Sequence, residues 1–176
     1  MTDLLDLTAE LVDIPSVSHH EATLADWIEA ALAGLDGLEV TRLGDNVVAR
    51  TTLGHPQRLI LAGHTDTVPV NDNAQARIEG DTLYGLGAAD MKAGLAVFLE
   101  LARTVPSPAV DVTYVFYVCE EVEGRHNGLG HLFRDRPDLM AGDAAILGEP
   151  TDGAIEAGCQ GSMRLAVSLG GARAHT

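Results

Sequence analysis

The 176-residue chain is short of basic side chains. Eleven Lys and Arg stand against 26 Asp and Glu, a net charge of −15 with histidine neutral. Nucleic-acid binding needs a basic face to neutralise phosphate, and attraction to anionic lipid needs the same, so both partners are excluded. Only two cysteines are present, Cys119 and Cys159, too few for a disulfide scaffold. Long hydrophobic runs are missing as well. The most apolar stretch, residues 95–102, is broken by Glu100 and falls far short of the ~18 apolar residues that span a membrane. Met1-Thr2-Asp3-Leu4-Leu5-Asp6 has no basic segment of the kind that opens a signal peptide. Nineteen Gly and seven Pro are too few for a fibrous or low-complexity chain. What remains is a soluble, cytoplasmic chain of about one domain, with 46% apolar residues against 21% charged, enough to bury a core. Its surplus acid either solvates the surface or gathers to hold a cation, and the order of residues decides which.

Residues 2–14 carry apolar side chains at helical spacing, stopped by Pro15. Ser18-His19-His20-Glu21 has the capping-box pattern and opens a second helix with an apolar face of Leu24, Trp27, Ile28, Ala31 and Leu32. The period then changes. Residues 38–43 and 46–51 flank Gly44-Asp45 as a hairpin, and 77–84 turn at Gly80-Asp81 as another. Residues 58–62 form an apolar run ending at Gly63, a strand buried on both faces. Residues 91–105 make a helix closed by Pro106 and Pro108, 111–118 a long strand, 129–135 a short helix and 144–147 a short buried strand. Residues 162–169 alternate as a half-exposed antiparallel strand. Strands alternating with helices imply an α/β fold with helices on both faces of a sheet.

The informative pattern is positional. His64-Thr65-Asp66, Glu120-Glu121 and Glu149-Pro150 each follow a predicted strand directly, and Asp90 stands before a predicted helix, where its simplest role is an N-cap. Ligands of open α/β sheets bind beyond the carboxyl ends of the strands. One histidine and five carboxylates are therefore delivered toward one place, where they repel unless protonated or neutralised. A divalent cation supplies that neutralisation, and imidazole with carboxylates is the donor set of catalytic zinc and related metals. Alternate residues of an extended chain face opposite ways. Asp66 thus does not share a metal with His64; it holds that imidazole, or another ligand, from behind. Of Glu120 and Glu121, one can bind metal while its neighbour stays free as a base.

With Gly63-His64-Thr65-Asp66-Thr67-Val68-Pro69, Tyr84-Gly85-Leu86-Gly87-Ala88-Ala89-Asp90-Met91-Lys92-Ala93-Gly94, Glu120-Glu121 and Gly148-Glu149-Pro150 in order, the chain resembles the M20 family of co-catalytic metallopeptidases and amidohydrolases. Glu120-Glu121-Val122-Glu123 with Asn127-Gly128-Leu129-Gly130, and Glu149-Pro150-Thr151 with Gly158-Cys159, are most similar to its succinyl-diaminopimelate desuccinylases of the actinobacterial type. The resemblance implies a three-layer α/β/α, zinc-peptidase-like catalytic domain with a mixed, mainly parallel sheet over 1–160, and the first strand of a truncated lid and dimerisation domain over 161–176. It implies two zinc ions, with cobalt or manganese able to substitute. His64 and Glu149 would hold one ion, Glu121 the second, and Asp90 would bridge them. Asp66 would orient His64, Glu120 would be the general base, and His175 would reach a partner subunit's site to stabilise an oxyanion. The implied reaction is hydrolysis of an N-acyl amino acid, N-succinyl-LL-2,6-diaminopimelate first, by a homodimer of the full-length protein. Acetylornithine deacetylase and dipeptidase activities are the alternatives within the family.

There are departures. The family's downstream histidine ligand for the Glu121 metal is absent from these residues, so the chain alone is expected to be an inactive metal-binding half. Cys159 and Gln160 stand where proteobacterial desuccinylases carry basic residues that hold the substrate carboxylate, and Leu86 replaces a frequent Arg. Among the other residues, His19, His20, His55, His126 and His131 read as surface and Trp27 as core. Cys119 reads as a buried structural thiol. Gly85-x-Gly87 is no nucleotide loop, because Asp90 would repel phosphate.

Overall fold

A computed structural model describes residues 3–158 and 165–171. Its elements in chain order are α1 (Leu4–Val12), α2 (Ala22–Leu32), β1 (Leu38–Leu43), β2 (Asn46–Thr51), β3 (Arg58–His64), β4 (Arg77–Glu79), β5 (Thr82–Tyr84), α3 (Ala93–Thr104), β6 (Asp111–Tyr117), α4 (Gly128–Asp135) and β7 (Ala144–Leu147). Both expected hairpins form, with Leu43 opposite Asn46 in one and Glu79 opposite Thr82 in the other.

Five strands make one sheet in the order β1-β2-β6-β3-β7, and β4 and β5 stand apart as a ribbon. The period-two alternation of the strands sorts the core into two layers. Val112, Tyr114 and Phe116 face a cluster built with Leu11, Leu24, Ile28, Leu95 and Phe98 of α1, α2 and α3, against which Trp27 packs half-buried. Val115 and Tyr117 face the opposite side, where Leu132 of α4 packs with Leu139 and Met140. The result is the expected α/β/α layering around a mixed sheet. Among the described residues, parallel pairing is confined to β6-β3 and β3-β7, while β1-β2 and β2-β6 are antiparallel, so this part of the sheet is evenly divided rather than mainly parallel.

Local patterns were diverted at several points. Ser18 and Glu21 form no capping box: the Ser18 hydroxyl donates to Asp66 at 2.7 Å, and buried Glu21 accepts the Cys119 N–H at 3.2 Å. Asp90 is no N-cap. It sits in an irregular turn, Ala88–Lys92, where Asp90 and Met91 have non-helical backbone, and α3 begins only at Ala93. β7 is exposed throughout because it is the sheet's edge strand among the described residues. Residues 165–169, the described part of the expected last strand, have no strand pairing among the described residues and are exposed.

Two glycines let α3 come close to the ends of β3 and β7. A Cβ at Gly63 would enter the Met91 and Leu95 side chains, and one at Gly94 would lie 2.5 Å from the Gly148 carbonyl oxygen. The turn bearing Asp90 is thereby pressed against the sheet end that carries His64 and Glu149.

Candidate metal centre

β3 ends at His64, β6 stops three residues before Glu120, and β7 stops two residues before Glu149, so three strand ends deliver donors to one rim. His64 is almost wholly buried. Its Nδ1 lies 3.0 Å from the Asp66 backbone oxygen, a contact an N–H donor satisfies, which leaves Nε2 facing forward. Nε2 stands 3.0 Å from Asp90 Oδ1 and 3.8 Å from Glu149 Oε2. Donor atoms of His64, Asp90 and Glu149 lie within 4.8 Å of one another, as do those of His64, Glu120 and Glu121. The four expected metal ligands and the expected base therefore come together around one imidazole. His175 lies outside the described residues, with Cys159 and Gln160.

Asp66 is buried behind His64 and ties two segments to it. Its Oδ1 accepts the Glu120 N–H at 2.9 Å, and its Oδ2 accepts the Glu121 N–H at 3.1 Å and the Ser18 hydroxyl. Burial alone would raise the Asp66 pKa, but His64 and these three donors bring it below the ordinary carboxylate value. Burial likewise opposes charge on His64, yet Asp66 and Asp90 outweigh it and push the imidazole up to about 9. Glu121 and Glu149 shift opposite to Asp66. Burial raises both, and the neighbouring carboxylates add to it against the opposing pull of His64. Half-buried acids held in mutual repulsion around an imidazole are what a divalent cation relieves, so the donor set fits such an ion.

Sequence reasoning missed Lys92. Its ammonium is buried and donates to the carbonyls of Leu11 at 2.9 Å and Ile14 at 2.8 Å, fastening the Asp90 turn to the end of α1. Burial lowers its pKa to about 8. The signal was available, because Lys92 is the sole lysine in a chain whose other ten cations are arginine. His19 is exposed as expected, but its ring meets His126 edge-on at 4.9 Å and its Nδ1 lies 3.5 Å from Cys119 Sγ. Cys119 is buried, and burial pushes its thiol up to about 11, consistent with an inert group.

Fold and donor set define an α/β protein with carboxylates and one imidazole gathered at the carboxyl end of its sheet. The sequence profile of peptidase family M20/M25/M40 matches residues 60–161, and the chain belongs to that family. Membership implies a divalent metal. The succinyl-diaminopimelate desuccinylase of Corynebacterium glutamicum is 49% identical over 179 residues, covering 99% of this chain and 48% of its own length. A Mycobacterium tuberculosis relative, provisionally named for the same activity, is 55% identical, covering 99% of this chain and 49% of its own. The chain thus spans about half the length of the curated relatives it matches. Among solved structures, a Staphylococcus aureus tripeptidase superposes with a TM-score of 0.67 at 26% identity, covering 82% of this chain and 42% of its own. Human carnosine dipeptidase 1 shares the fold at a TM-score of 0.70 and 18% identity, with coverages of 82% and 37%. No helix among the described residues is long and apolar enough to cross a membrane.

Proposed function

We propose that the full-length protein hydrolyses the amide of N-succinyl-LL-2,6-diaminopimelate to succinate and LL-2,6-diaminopimelate, acting as a cytoplasmic, metal-dependent homodimer. The observation that carries the chemistry is the meeting of Asp90, Glu149, Glu120 and Glu121 around the His64 imidazole. The desuccinylase named in Corynebacterium glutamicum supports the substrate.

His64, Asp90 and Glu149 would hold one ion and Glu121 would contribute to a second, zinc in both cases. Divalent ions there would polarise the amide carbonyl and acidify the attacking water. Asp66 keeps the His64 ring turned with Nε2 toward the acids and fixes the backbone of both glutamates. Glu120 is the more exposed of the glutamate pair, and its carboxylate accepts the proton of the water and returns it to the departing amine nitrogen. His175 would donate a hydrogen bond to the tetrahedral oxyanion.

The test uses the full-length protein with N-succinyl-diaminopimelate and N-acetylornithine side by side. The succinyl amide is expected to turn over far faster, and E120Q is expected to lower kcat by about 10³-fold while retaining its metal. Faster turnover of the acetyl substrate would reassign the enzyme within its family. Full activity in E120Q would remove Glu120 as the base.

A further inference from the structure

Glu121 borders an open cavity of about 800 Å³ whose other walls are His19 and the turn at residues 122–126. Arg125 is the only Lys or Arg among the described residues that lines it. The setting makes that cation conspicuous. The chain carries a net charge of −15, and the rim beside the cavity holds Asp90, Glu120, Glu121 and Glu149. Even with divalent ions neutralising the rim, a substrate with free carboxylates approaches a strongly negative chain, and a cation is needed to receive it.

The turn fixes the backbone of Arg125 and leaves its guanidinium exchangeable. His126 N–H bonds the Glu123 carbonyl at 2.9 Å, Gly128 N–H bonds the Val118 carbonyl at 2.8 Å, and His131 Nε2 lies 3.0 Å from the Arg125 carbonyl. The guanidinium meets Glu123 at 2.9 Å, with both side chains more than half exposed, and its Nε donates to His126 Nε2 at 3.0 Å. Such an exposed pair is weak and yields readily to a better-placed carboxylate, which a guanidinium can grip with two parallel bonds. His126 and His19, ring against ring, offer further donors on the same wall.

We infer that Arg125 is the receptor for a carboxylate of the N-acyl amino acid substrate lying outside the scissile amide, with His126 and His19 beside it. The inference rests on the amidohydrolase reading above. It makes Arg125 a specificity determinant that acts on binding and leaves the chemical step to the metal rim.

The experiment uses full-length protein, R125A and R125K. R125A is expected to raise KM for the succinyl amide about tenfold with kcat within about twofold, and R125K to recover part of the loss, since it keeps the charge without the fork. Free succinate and free diaminopimelate are titrated separately and followed by calorimetry. Affinity lost about tenfold in the succinate arm places the acyl carboxylate on Arg125, and in the diaminopimelate arm the amino-acid carboxylate. Unchanged affinity in both arms, or a fall in kcat at constant KM, overturns the inference. The binding arms need no turnover. Cleavage of N-acetylornithine but not of the succinyl amide therefore ends the desuccinylase reading and leaves Arg125 to be judged on those titrations.

Discussion

The two ends of the central parallel strands treat carboxylates in opposite ways. At the start of β6, Asp111 accepts the Thr51 hydroxyl and the backbone N–H groups of Leu53, Gly54 and His55, with Arg58 nearby. These donors hold its pKa down at about 2. At the far end of the same strands, Glu121 and Glu149 are raised by burial and by neighbouring carboxylates, Asp90 foremost. The charged group is a carboxylate at both ends and the environments are inverse. One acid is fully answered by the chain's own donors and fastens the fold. The others share one imidazole, His64, among several carboxylates, an excess of charge that the proposed cation would relieve. The difference teaches that a site need not be the most strongly bonded place in the molecule; it is the place where the chain withholds its donors.

The largest expected effect separates the two ends directly. E149Q in the full-length protein should weaken metal binding by more than about 100-fold, read by calorimetry, while the metal-free protein melts no lower than wild type because a repelled charge is gone. A clear loss of metal-free stability would show that Glu149 is structural and end the contrast. D111N should behave inversely, lowering Tm more than any substitution below without changing metal affinity. The pH profile sharpens it. A carboxylate whose folded pKa lies at about 2, below its ordinary value, contributes fully above about pH 4, and that contribution is lost as pH falls toward 2. Acid titration of D111N should therefore be flatter than wild type in that window, and equal slopes would refute the assignment.

Two smaller effects test how the Asp90 turn is held between these ends. K92M keeps the buried stem but strips two carbonyls of their donor, and should cost about 2 kcal/mol in urea unfolding with m unchanged. A cost below about 0.5 kcal/mol would show that water replaces the ammonium. G94A would ordinarily gain helix propensity, but its Cβ meets the Gly148 carbonyl, so a net loss of about 1 kcal/mol is expected. A stabilised G94A would mean that the β7 end gives way freely.

Much of this molecule was legible one segment at a time. Gly44-Asp45 and Gly80-Asp81 marked both hairpins, and the apolar runs marked β3 and β6. The placement of His64, Glu120-Glu121 and Glu149 at or just past strand ends pointed to a single rim, because a strand's end fixes where the next residues emerge. What escaped depended on partners far along the chain. Ser18 and Glu21 satisfied a local capping pattern, yet their bonds run to Asp66 and Cys119, 48 and 98 residues away. The antiparallel seating of β2 against β6 and the exposure of β7 are likewise properties of neighbours, which no short window contains.

The shielding of Lys92 has a practical consequence. Amine-directed acylating reagents find no accessible side-chain target within these 176 residues while the fold is closed. Slow labelling of that single amine would then time the rate at which the first helix lifts away from the Asp90 turn.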